Sequence, residues 1–92
     1  MTLLHVTTAD AWTSLQRDGV WLPAPFWHLC TAAQLPFVLA QHFAGQTGLV
    51  ILHLDPARLD DVRWEASEPG MDPFPHLYAP LTAASVMKVI SA

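Results

Sequence analysis

The sequence predicts a mixed α+β domain, and three observations carry that expectation. First, short strand-like runs recur from Leu3 to Ile90, about six in all. Second, helical signals are confined to the first half of the chain while strands crowd the second, so a regular strand–helix alternation and a doubly wound parallel sheet are not expected. Third, 92 residues with 52% hydrophobic and only 13% charged side chains describe one domain, 1–92, with a real core.

Leu3 to Thr7 alternates as a strand, with Leu4 and Val6 on one face and Leu3, His5 and Thr7 on the other. Thr8 caps a helix over 9–18: Asp10 lies in its first turn, Ala11, Trp12 and Leu15 form its apolar stripe, and Gly19 closes it. Val20 to Leu22 reads as a short extended piece before Pro23 and Pro25 turn the chain. Phe26 to Thr31 is a central strand with His28 and Cys30 on one face and Trp27 and Leu29 on the other. Thr31 and Gln34 form a capping box for a second helix reaching about Ala44, bent or restarted at Pro36.

After the loop at Gly45–Gly48, Leu49 to Asp55 is the clearest strand. A tight turn at Pro56–Leu59 leads to a strand over Val62–Glu65, with Arg63 and Glu65 on one side and Val62 and Trp64 opposite. Ser67 to Pro75 is a proline-rich loop, His76–Tyr78 a brief strand, Pro80–Ala84 a turn or short helix, and Val86–Ile90 the last strand.

Charge narrows the function. Arg17, Arg58, Arg63 and Lys88 are the only fixed cations in a chain of net charge −4, which excludes general DNA or RNA binding. A single nucleotide asks for less, one or two donors and some backbone amides. Cys30, the one cysteine, cannot form an intramolecular disulfide and fits a reducing compartment. With no signal-peptide pattern and no apolar run of membrane-spanning length, a cytoplasmic location and no membrane partner are expected. A protein partner is left unknown by the sequence.

Chemistry gathers on three predicted strands with one design: His5-x-Thr7, His28-x-Cys30 and His76-x-Tyr78. If these strands are neighbours, three imidazoles converge on one cleft, with Thr7, Cys30 and Tyr78 beside them as ligand-contacting groups. Two other accounts stand next to this one. A histidine on an apolar strand is often a hydrogen-bonded structural residue, which would make the domain a non-catalytic protein-binding module. His28 and Cys30 with a third histidine would make a metal site, but with no CxxC and no HExxH motif no metal is expected. His42 and His53 receive no role. A P-loop and a dinucleotide fingerprint are excluded by the isolated glycines.

The ordered set Leu4-His5-Val6-Thr7, Phe26 to Gln34, Gly45-Gln46, Leu49 to Asp55, Val62-Arg63-Trp64-Glu65 and Phe74 to Tyr78 resembles domain-of-unknown-function family 952. The resemblance implies an ADP-ribosyltransferase-like fold, a small split β-sheet with two helices, related to the RNA 2′-phosphotransferases. NAD would be the implied cofactor, and the partner a nucleotide-like small molecule. By the same resemblance His5 and His28 face the nucleotide as catalytic candidates, and His76 with Tyr78 closes the cleft. The chain departs from the family pattern at Cys30 (usually serine), Gln41 (commonly arginine), His53 (commonly glutamate) and Ala79 (usually glycine). The Arg63-Trp64-Glu65 motif carries no known role.

Overall fold

Leucine and isoleucine alternation builds the middle of the molecule. In the computed structural model, which describes residues 1–66 and 68–92, β1 (Leu3–Thr8) and β4 (Leu49–Leu54) pair antiparallel from Leu3–Leu54 to Thr8–Leu49. The other edge of β4 takes β8 (Val86–Ser91), giving the order β1-β4-β8. Both faces of β4 are covered, which explains why that strand is apolar on both sides.

One face is covered by α1 (Ala9–Asp18). The Thr8 side chain accepts the Ala11 N–H at 3.0 Å, and Gly19, at φ 81°, returns its N–H to the Leu15 carbonyl at 2.7 Å. A positive φ there suits glycine and stops the helix where the sequence predicts. Leu15 is buried against Leu3, Val50, Leu52 and Leu54. The opposite face, formed by Leu4, Val6, Cys30, Leu49 and Ile51, packs under Leu35, Val38 and Leu39 of α2 (Leu35–His42).

A second sheet stands beside the first: β3 (Trp27–His28), β6 (Phe74–Leu77) and β5 (Val62–Glu65) in the order β3-β6-β5, all antiparallel. The short β2 (Val20–Trp21) and β7 (Leu81–Thr82) form a third pair. One bridge joins the first two sheets: Leu4 and Cys30 exchange both backbone N–H···O bonds at 2.8 Å. Short 3₁₀ turns at Pro56–Arg58 and Ala83–Ser85 complete the chain. The fold class is thus α+β with two helices and several antiparallel sheets, as the sequence predicts.

The differences have local causes. The capping box forms, Thr31 N–H to Gln34 Oε1 at 3.0 Å and Gln34 N–H to Thr31 Oγ1 at 3.2 Å, but residues 32–34 make only a turn. The helix starts at Leu35, so Pro36 falls in its first turn, where a missing N–H costs nothing, and no bend is needed. Gln34 Nε2 also donates to the Pro73 carbonyl at 2.9 Å, tying the 68–73 segment to the start of α2. The expected loop from Ser67 to Pro75 is shorter: Phe74 and Pro75 already belong to β6, and the Pro75 carbonyl accepts the Leu29 N–H at 3.0 Å. Ser67 itself lies outside the described residues. Leu81–Thr82, expected in a turn or short helix, pairs as a strand because Val20–Trp21 lies beside it.

Among the described residues, no helix is long and apolar enough to cross a membrane. Leu52 is fully buried in the central strand β4. Leu52→Ala leaves a cavity between α1 and the sheet and is expected to lower stability by about 2–5 kcal/mol, read from urea denaturation midpoints. Thr8→Ala, which removes the α1 cap, is expected to cost about 1 kcal/mol in the same assay.

Candidate functional site

Strand register decides which histidines meet. His5 pairs with Leu52, so its side chain leaves β1 on the α1 face. Leu4 pairs with Cys30 on the α2 face, and His28, two residues before Cys30, shares that face. His28 in turn pairs directly with His76, and the two rings meet edge to face with centroids 5.3 Å apart. The sequence expectation of three converging imidazoles therefore becomes two rings in contact, with the third in the gap between the sheets. His5 Nδ1 donates to the His28 carbonyl at 2.7 Å, and its ring lies edge-on to Trp21 and Trp27 at 6.4 and 5.8 Å. Because a carbonyl only accepts, this bond puts the His5 proton on Nδ1 and leaves a lone pair on Nε2.

A cavity of about 500 Å³ lies over the α2 face. Its floor is the joint between the sheets, at Leu4, Val6 and Cys30, and α2 supplies Phe37, Val38, Gln41 and His42 as one wall. The 68–74 segment supplies Glu68, Met71 and Phe74 as the other, with His28, His76 and His5 also in the lining. The size is that of a small-molecule site, and the mixture of apolar walls with a few converging polar groups is what such sites require. Thr7 and Tyr78 lie outside the lining. Thr7 pairs with Val50, and Tyr78 is engaged behind the cavity.

That engagement is a hydrogen-bonded cluster. One carboxylate oxygen of Glu65, Oε1, receives both the Tyr78 hydroxyl at 2.6 Å and His76 Nδ1–H at 2.9 Å. Phe26 stacks on the His76 ring at 4.2 Å and 28°. Arg63 lies 4.0 Å over the Tyr78 ring while its Nε and Nη2 bond both oxygens of Asp61 at 2.9 and 3.1 Å.

Electrostatics follow from these contacts. Burial depresses the His5 pKa below 6.5 against the opposing effect of the carbonyl bond. His28 is pushed down by burial and then by the neighbouring His76 and His42. The Tyr78 and His76 hydrogen bonds hold the Glu65 carboxyl below its usual range, so it is anionic. Burial pushes the Cys30 thiol up to about 11, which makes it an apolar floor residue rather than a thiolate nucleophile. Among the described residues, no group of three His, Cys, Asp or Glu side chains is placed to hold a metal ion.

A model of the family described as protein of unknown function, DUF952, matches residues 6–89. The chain belongs to the DUF952 family. A comparison with curated proteins finds no match. The fold is similar to the crystal structure of protein CC0527 from Caulobacter crescentus, with TM-score 0.87 and 28% identity over 99% of this chain and 85% of that one. A methionine double mutant of CC0527 gives the same values. The solution structure of CC0527 matches with TM-score 0.82 and 28% identity over 98% and 83% of the two chains.

Sequence reading of this DUF952 protein missed two contributors. His42 looks like an exposed helix position, yet it lines the cavity beside Gln41. Phe26 reads as a packing residue of the Phe26–Thr31 strand, but it is the platform for His76. The available signal was α2 itself, whose sequence Leu35-Pro36-Phe37-Val38-Leu39-Ala40 is apolar on nearly every face while none of its residues is fully buried.

His5 yields a test of the joint. Its folded pKa lies below the unfolded value of 6.5, so the unfolded chain binds a proton that the folded chain refuses. Its contribution to stability is complete above pH 6.5 and is lost as pH falls through and below that value. His5→Gln keeps a donor for the His28 carbonyl and removes the titration. It is expected to flatten the decline in urea midpoint between about pH 7.5 and about pH 5.5, a range that brackets the ordinary histidine pKa.

Proposed function

We propose that this DUF952 protein is an ADP-ribosyltransferase-like domain that binds NAD, ADP-ribose or a related phosphorylated nucleotide in the cavity over the joint of its two sheets. One observation carries the reading: the cavity opens where the sheets part, and His28 and His76 stand there edge to face. A sheet split beside a ligand-sized cavity is the arrangement that the family resemblance implies, and the mostly apolar lining suits a flat ring.

The residues present fit such a ligand in a particular way. Leu4, Val6, Phe37 and Phe74 provide apolar surface for a base or nicotinamide ring. Among the described residues, the lining carries imidazoles and Gln41 where a phosphate site commonly has lysine or arginine. His28, His42 and Gln41 would therefore hold the phosphates by hydrogen bonds, with charge from the imidazoles only when they are protonated. When bound, NAD supplies an anomeric carbon activated by its bond to nicotinamide. The chain's part is to orient the ribose against His28 and His76 and to keep water from the apolar end.

A second reading, a binding module whose histidines are structural, is favoured for His5 by its burial and its bond to the His28 carbonyl. It predicts that His28→Ala leaves ligand affinity unchanged. The nucleotide reading expects the opposite.

Titration with NAD and with ADP-ribose, followed by histidine ring NMR, is expected to shift His28, His42 and His76 and to leave His53 in place. No perturbation at millimolar ligand overturns the proposal. ADP-ribose affinity is expected to strengthen as pH falls below 6.5, because free His28 titrates below that value and a bound phosphate favours its protonated form. The pH series is read only where thermal unfolding finds the chain folded.

A further inference from the structure

The Val62-Arg63-Trp64-Glu65 strand has no part in the ligand contacts above, yet it is wired to the cavity. Arg63 pairs with His76 across β5 and β6, which puts Arg63, Glu65 and His76 on one face. His76 is more than nine-tenths buried and still reaches the cavity lining. Its Nδ1 is committed to Glu65 at 2.9 Å, and Phe26 covers one ring face at 4.2 Å. The ring edge left for the cavity is therefore the one bearing Nε2.

We propose that His76 Nε2 is an acid–base group of this cavity, positioned by Glu65 and Tyr78, for a ligand that presents a hydroxyl beside His28. The proposal rests on the reading that the cavity holds a small ligand. A carboxylate behind an imidazole fixes the tautomer with Nδ1 protonated and Nε2 bare, so a lone pair faces the ligand. It also offsets the positive charge that appears when Nε2 gains a proton. In the step, the ligand O–H bond breaks, its electron pair stays on oxygen, and an N–H bond forms at Nε2. The same proton later leaves Nε2 for a departing group or for solvent, which restores the starting state.

Glu65 is the positioning group and not the base. Its Oε1 already accepts two hydrogen bonds, and those bonds hold the carboxyl in its anionic form. Tyr78 anchors that oxygen, and Arg63, itself braced by Asp61, lies over the Tyr78 ring. The arginine and glutamate of the motif thus act together: one steadies the tyrosine and the other aims the histidine.

The test uses the full chain without any assumed activity. Long-range proton–nitrogen NMR at neutral pH is expected to find His76 with a protonated Nδ1 and a bare Nε2. Diethyl pyrocarbonate, which acylates bare imidazole nitrogen, is expected to modify His76 at Nε2, as mapped by peptide mass spectrometry. Glu65→Gln is expected to slow that modification by a factor of roughly three to ten, about what losing one charge contact costs. A His76 protonated on Nε2, a His76 left unmodified while His28 reacts, or an unchanged rate in Glu65→Gln overturns the proposal. The tautomer is read in the unaltered protein, so a variant that fails to fold does not remove the test. ADP-ribose at millimolar concentration separates the two readings. Failure to protect His76, with tautomer and reactivity as expected, counts against the nucleotide reading and leaves the acid–base assignment standing.

Discussion

Two backbone hydrogen bonds between Leu4 and Cys30 hold the two main sheets together, and the arrangement of the cavity depends on them. Among the described residues, pairing between these sheets stops at this bridge. One residue further along β1, the His5 side chain takes over and bonds the His28 carbonyl, so a side chain continues what the backbone leaves off. A continuous ladder there would have closed the sheet and removed the gap. An open gap without His5 would have taken from the His28 carbonyl the donor that this side chain supplies. The imidazole resolves that conflict, which is reason enough for a histidine on β1 whether or not it ever touches a ligand.

Much of the framework is legible in the sequence because it is local. The α1 cap at Thr8 and its stop at Gly19 follow from backbone rules that act within one turn. The two-sided burial of β4 follows from its apolar run, and the sharing of faces along β5 follows from strand parity. What escaped depends on partners distant in sequence. Pro75 reads as loop until Leu29 arrives to bond its carbonyl, and Leu81–Thr82 reads as turn until Val20–Trp21 lies beside it. The site shows the same division. That His28 and His76 face one way was readable from alternation. That His5 faces the other way required the Leu4–Cys30 register, since a shift of one residue in pairing would have reversed it.

The cavity combines an apolar body with imidazoles, Gln41 and the Glu68 carboxylate. Guanidinium and ammonium groups stay cationic at physiological pH, whereas burial and its histidine neighbours push His28 toward the neutral form. A lining of this kind keeps the desolvation cost of an empty cavity low, since neutral imidazoles are cheaper to bury than fixed charges. The lone thiol on the floor fits the same pattern: pushed up to about 11, Cys30 contributes shape without charge.

Gln34 has a chemical requirement that its place in a capping box does not reveal. At that position glutamate and glutamine cap equally well, because either side chain offers an oxygen to the Thr31 N–H. Here the other end of the side chain is also occupied, donating to the Pro73 carbonyl. A carboxylate would keep the first bond and set a negative oxygen against the second carbonyl. The isosteric exchange of amide for acid would therefore leave the helix start intact and release the opposite wall of the cavity, so at this one residue secondary structure and cavity shape can be altered separately.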